Sequence, residues 1–229
     1  MWEEGGPQRR TVCVVIAGVA HPLMFGHPVS MPERSAHDRR QTLEQLLDAV
    51  DPRLSPRLKE SLAAPGPAVL PAEGQTVVLA GHRTAGKTRL LPFVSQMLGR
   101  PGLDLDRELE RATGRSLKTW VAEDPKAFRA AERQALLNLP PGSLVAVGGG
   151  FLSHHLDALA GMFTVIVPVS FETYRERLLA DTSRPRLRPG VTLEEEIATV
   201  FHEREALHAR VPTVPLEDFL RAFWREVAP

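Results

Sequence analysis

Apolar positions follow two rhythms along the chain, and their alternation from residue 76 onward predicts the architecture. Short apolar, largely β-branched runs at 76–80, 103–105, 144–147 and 164–169, with a weaker one at 211–214, have the length of buried strands. Between and after them, stretches at 87–98, 107–113, 117–122, 126–138, 152–160, 171–181, 193–209 and 216–227 carry apolar residues three and four apart, as a helix with one buried face does. Asp124 before Pro125, and Thr192 with Glu195 three residues on, read as helix starts. Phe219, Phe223 and Trp224 fall on the inner face of the last helix. Strands and helices in alternation predict a three-layer α/β/α domain: a five-stranded parallel sheet with helices on both faces.

The first part of the chain is patterned differently. Residues 11–16 are β-branched enough for a buried strand, and Glu3 and Glu4 acidify what a secretory leader would keep basic. A loop rich in Pro, Gly and His follows through Pro32. A helix over 36–50 then sets Leu43, Leu46, Leu47 and Val50 on one face, which requires an apolar partner in the main domain or in a second subunit. Pro65, Gly66, Pro67 and Pro71 read as a linker. The expected division is an N-terminal extension of unread role, 1–73, and a domain over 74–229.

The length of 229 residues fits one such domain plus an extension, and 43% hydrophobic with 24% charged residues is an ordinary globular balance. Twenty-eight basic residues cancel 28 acidic ones, so no overall field draws the chain to nucleic acid or an anionic membrane, and any anion site must be local. Cys13 is the one cysteine, which excludes an internal disulfide framework or a zinc–thiolate cluster and suits a reducing compartment. No apolar run reaches the length of a membrane span. A cytoplasmic protein is expected.

The most specific chemistry is Gly81-His82-Arg83-Thr84-Ala85-Gly86-Lys87-Thr88, which fits GxxxxGK[ST] between a strand and a helix. Glycines there let backbone N–H groups turn onto phosphate oxygens at the positive end of a helix. Lys87 adds a cation, and Thr88 offers a hydroxyl to Mg²⁺. Asp104 and Asp106, two apart at the end of a strand, are read as projecting to one side. One would serve Mg²⁺ through water and the other an acceptor hydroxyl, although such aspartates also serve as helix caps. Arg129 and Glu132 stand three apart on one helix, Gly148-Gly149-Gly150 follows a strand, Arg184-Pro185-Arg186-Leu187-Arg188 is a basic connection, and Glu203-Arg204-Glu205 lies on the next helix.

In order and spacing these motifs, over residues 75 to 227, resemble shikimate kinase of the nucleoside-monophosphate-kinase-like fold. The resemblance implies ATP with Mg²⁺ as donor, the 3-hydroxyl of shikimate as acceptor, and shikimate 3-phosphate as product. By matching position it implies that Gly81, Thr84, Ala85, Gly86, Lys87, Thr88 and Arg89 hold the nucleotide, that Thr88 and Asp104 support the metal, and that Asp106 takes the acceptor hydroxyl. Arg129 and Arg204 would grip the shikimate carboxylate, Glu132 would orient Arg129, and Gly148, Gly149 and Gly150 would approach the substrate with backbone. Arg184, in a mobile lid, would neutralise charge in transfer, and Arg177 would lie beside the adenine. A monomer whose partner is a small-molecule substrate is implied.

The chain departs from that pattern at Thr84, where the family usually has glycine, and at Arg89, where a small residue often follows. It departs again at Arg186, usually apolar, and at His208, where tyrosine is common. The first 73 residues have no counterpart in a minimal member. Two alternatives therefore stand beside the leading one: a kinase of another small hydroxy acid or polyol, and a shikimate-sensing regulatory protein. His154 and His155 are expected at the surface, without a role.

Overall fold

The structure, a computed structural model, describes residues 10–16, 19–25, 35–181, 186–188 and 190–227. Strand β3 (Val77–Ala80) is buried at all four positions, as a strand covered on both faces must be. It pairs in parallel with β5 (Leu144–Ala146) on one side and β6 (Phe163–Ile166) on the other. β4 (Gly102–Asp104) extends the sheet beyond β5, and β7 (Val214–Pro215) beyond β6, giving the order β4-β5-β3-β6-β7 with every pairing parallel. The five expected strands are thus the five observed, most of them shorter.

Every connection between strands of the sheet except that from β5 to β6 carries α-helix. α3 (Lys87–Leu98) follows β3, α4 (Leu105–Thr113) follows β4 with α5 (Leu117–Glu123) and α6 (Pro125–Leu137), α7 (Phe171–Ala180) and α8 (Leu193–His208) follow β6, and α9 (Leu216–Val227) follows β7. Asp124 caps α6 from before Pro125, and Thr192 with Glu195 closes a full capping box on α8. The expected helix at 152–160 is instead two 3₁₀ turns, Phe151–Ser153 and Leu156–Leu159. His154 (φ −125°) and His155 (φ −137°, ψ 41°) leave helical geometry and divide the segment in two.

Two cores result, one on each face of the sheet. One joins α4, α6 and the 3₁₀ turns through Leu105, Trp120, Phe128 and Phe151. The other joins α3, α7, α8 and α9, and contains the N-terminal helices α1 (Ala36–Ala49) and α2 (Ser55–Ala63) as well. Leu43, Leu46, Leu47 and Val50 are almost fully buried there, against α3 and α9. The 64–71 stretch is no free tether either: Arg221 donates to the carbonyls of Ser61 and Pro67, and Arg225 to that of Gly66. Before these helices, β1 (Arg10–Ile16) and β2 (Val19–Phe25) form an antiparallel hairpin where a single strand and a loop were expected. Pro22 is tolerated because both strands of such a hairpin are edges.

Asp51, at the α1–α2 corner, ties the N-terminal helices to α7. It is fully buried and accepts from Ser170 N at 2.6 Å, Thr173 Oγ1 at 2.7 Å and Arg53 N at 3.0 Å. Burial opposes its ionisation, but these hydrogen bonds, led by Ser170, outweigh it and hold the carboxyl below its usual value. Arg53 adds a two-pronged pair with Glu176, the residue before Arg177. Asp51→Ala leaves the donors at the start of α7 without an acceptor and is expected to destabilise the fold by about 3 kcal/mol, read as a lowered urea midpoint at unchanged m.

Candidate active site

The phosphate loop is shaped by its neighbours. Gly81 has φ 132°, and a methyl group there would meet the Val167 carbonyl oxygen at 2.6 Å, so only glycine lets the segment after β6 pass. Gly86, φ 93°, starts α3. Thr84 adopts φ 60°, a left-handed conformation that is costly for a β-branched residue, which explains why glycine is the commoner choice there. Its carbonyl accepts from Arg177 Nη1 at 2.6 Å, which pins the turn to α7. Lys87 is buried and donates to the carbonyls of His82 at 2.7 Å and Gly81 at 3.1 Å. Ala85 turns its methyl into the core, whereas Arg89 stands exposed on α3 at the rim.

Across a cleft of about 580 Å³ lie the carboxylates. They do not share the strand that alternation predicts: β4 ends at Asp104, and Asp106 lies in the first turn of α4. Asp104 caps that helix through Arg107 N at 3.2 Å and also accepts the Thr88 hydroxyl. Asp106 nonetheless lines the same cleft, because the first turn of α4 wraps over the strand end. Its Oδ1 is buried with no hydrogen-bond partner among the described residues. Burial first, then the charges of Glu132 and Asp104, push its carboxyl up to about 7, against the pull of Lys87 and Arg129. The Thr88 hydroxyl and the two carboxylates are hard oxygen donors of the kind that suit Mg²⁺.

The glycine run gathers the remaining groups. A methyl group at Gly148 would meet Glu132 Oε1 at 2.9 Å and Asp106 Oδ1 at 3.1 Å, one at Gly149 the Arg83 backbone nitrogen at 2.4 Å, and one at Gly150 Arg129 Nη2 at 3.1 Å and Arg204 Nη2 at 3.3 Å. Gly149 therefore packs on the phosphate loop itself, and two guanidiniums from α6 and α8 converge one residue further on. Arg129 Nη1 donates to the fully buried Glu132 at 2.6 Å. Arg204 is 8% exposed, and its Nη1 has no hydrogen-bond partner among the described residues. Burial, followed by repulsion from Arg83 and Arg129 against the help of Tyr174, lowers its pKa. Among the described residues five cations line the cleft, Arg83, Lys87, Arg89, Arg107 and Arg177, against three carboxylates, Asp104, Asp106 and Asp181, so a chain of zero net charge presents a local anion site.

Arg184 lies outside the described residues. Arg186 and Arg188 do not reach the cleft. Arg186 Nε binds the buried Glu196 at 2.7 Å, and Arg188 pairs with Glu203, which fastens that part of the connection to α8. His155, expected at the surface, is buried with Nε2 3.3 Å from Glu132 Oε2. Also unanticipated is a cluster of His82, Glu205 and His208; His82 stands too far from the other two in sequence for spacing to reveal it.

A family model for shikimate kinase matches residues 83–218. A shikimate kinase of Thermobifida fusca is 37% identical over 115 residues, 48% of this chain and 67% of that relative. One of Tolumonas auensis is 34% identical over 148 residues, 61% of this chain and 85% of the relative. Among solved structures, shikimate kinase from Acinetobacter baumannii in complex with shikimate superposes with a TM-score of 0.54 at 25% identity, covering 62% of this chain and 82% of that one.

Proposed function

The chain belongs to the shikimate kinase family, and on that footing we propose that it transfers the γ-phosphoryl group of ATP to the 3-hydroxyl of shikimate, releasing ADP and shikimate 3-phosphate. The observation that carries this reading is the convergence of Asp106, Arg129 and Arg204 on the glycine run that packs against the phosphate loop. Donor and acceptor then share one cleft, and holding them in line supplies much of the acceleration.

In this reading the loop amides and Lys87 hold the donor phosphates and neutralise charge as it shifts toward ADP. Asp106 accepts the hydrogen bond of the attacking hydroxyl and takes its proton. Arg129, oriented by Glu132, and Arg204 grip the acceptor carboxylate, a planar anion suited to guanidinium forks. Gly148, Gly149 and Gly150 admit the ring to backbone distance. Thr88 and Asp104 would hold Mg²⁺, which when bound would supply charge neutralisation to the donor phosphates. Arg177 flanks the nucleoside, and the role of neutralising charge in transfer falls to Arg184, which lies outside the described residues. The division at residue 73 is one of labour: every group in the mechanism lies after residue 80, whereas α1 and α2 brace α3, α7 and α9. Among the described residues no helix is long and apolar enough to cross a membrane. We place the enzyme in the cytoplasm as a monomer with no nucleic-acid partner.

Purified protein offered ATP with shikimate, quinate or gluconate is expected to release ADP fastest with shikimate; faster release with another acid overturns the substrate assignment. Arg204→Met is expected to raise KM for shikimate about 100-fold or more, with a smaller change in kcat. The same variant should melt no lower than wild type, because it removes a buried cation lacking a paired anion.

A further inference from the structure

We propose that His82, Glu205 and His208 form a binding site for a divalent transition ion of the zinc class, separate from the Mg²⁺ position and fastening the phosphate loop to α8. The three side chains bring His82 Nε2, one Glu205 oxygen and a His208 ring nitrogen within 4.8 Å of one another. Glu205 and His208, three residues apart on α8, share one face of the helix. His82 enters from the second position of the loop, where its ring is stacked on Phe201 at 4.4 Å and set edge-on to Tyr174 and His208.

Hydrogen bonding alone leaves this cluster incomplete. Glu205 Oε1 is 2.6 Å from His82 Nε2 but 3.8 Å from His208 Nδ1, beyond hydrogen-bond reach. The His208 ring is more than nine-tenths buried, its Nδ1 has no hydrogen-bond partner among the described residues, and it faces that oxygen. Ligands about 2.0–2.1 Å from a tetrahedral ion stand roughly 3.3 Å apart. A small swing of Glu205, which is half-exposed, brings its two separations to that value, and the two ring nitrogens, which stand within 4.8 Å, close by up to about 1.5 Å on binding. The exposed side of Glu205 leaves a fourth position for water. Two imidazoles and a carboxylate suit zinc, whereas Mg²⁺ prefers the all-oxygen set at Thr88 and Asp104. Lys87 donates to the His82 carbonyl, so an ion held here would fix the carbonyl that positions Lys87.

The test uses the full chain without nucleotide, in excess Mg²⁺ to saturate oxygen sites, with Zn²⁺ titrated against a chromogenic chelator. Wild type is expected to bind one equivalent, and His208→Ala and Glu205→Gln to bind at least ~10-fold more weakly. Glu205→Gln changes an exposed position and keeps the comparison valid if the His208 variant fails to fold. Co²⁺ should give the visible bands of a four-coordinate histidine–carboxylate site in wild type and lose them in both variants. Less than one equivalent on wild type, or equal binding by wild type and Glu205→Gln, would overturn the proposal and leave the cluster as packing.

Discussion

Lys87→Met is expected to lower kcat for shikimate-dependent ADP release by at least about 10³-fold while the protein still folds. Lys87 begins α3, where backbone amides already favour an anion, and its buried ammonium is held by the Gly81 and His82 carbonyls at the mouth of the cleft. A charge kept in a partly dry site acts on phosphate far more strongly than one in water. Methionine preserves the length and apolar stem and removes only the cation, so the loss should appear mainly in kcat. Circular dichroism and a melting temperature within a few degrees of wild type would show the fold intact. Retention of more than a tenth of wild-type kcat would remove Lys87 from the mechanism.

The second large effect concerns Asp106, whose carboxyl burial and two neighbouring carboxylates push up to about 7. Asp106→Asn should lower kcat about 10²- to 10⁴-fold, the range for losing a positioned base. Wild-type kcat/KM should rise with pH through about 7 as the carboxyl ionises, and the residual rate of the variant should lack that limb. Stability has the opposite sign. The folded-state pKa lies above the ordinary value of 3.8, so the folded protein binds the proton more tightly. The stabilisation is full below about pH 4 and is lost as pH rises through about 7. Asp106→Asn should therefore melt higher than wild type at pH 8, with the gap narrowing as pH falls. A variant that is both inactive and less stable at pH 8 would mark Asp106 as structural.

The phosphate loop and α3 were legible because one local motif dictates both turn and helix, and α3 runs over the residues its spacing implied. Asp104 and Asp106 were found for an incomplete reason. Strand alternation predicts two carboxylates on one side, but the Asp104 side chain caps α4 and ends the strand, so a helical turn brings Asp106 to the cleft. Periodicity missed α2 because the helix starts without a side-chain cap, from Leu54, and carries Pro56 in its first turn within a proline-rich stretch that reads as irregular. It missed β2 because Pro22 and the flanking glycines resemble a loop. Neither the meeting of Arg129 with Arg204 at Gly150 nor the His82 cluster follows from spacing, since each joins segments far apart in the chain through the packing of α8 on the loop.

The position of shikimate in a crystal of the chain with a non-hydrolysable ATP analogue is the most direct measurement. The expected result places the acceptor carboxylate between Arg129 and Arg204, and its 3-hydroxyl within about 3.2 Å of Asp106, facing the terminal phosphate at Lys87. Shikimate bound elsewhere, or with that hydroxyl turned from Asp106, would contradict a shared cleft.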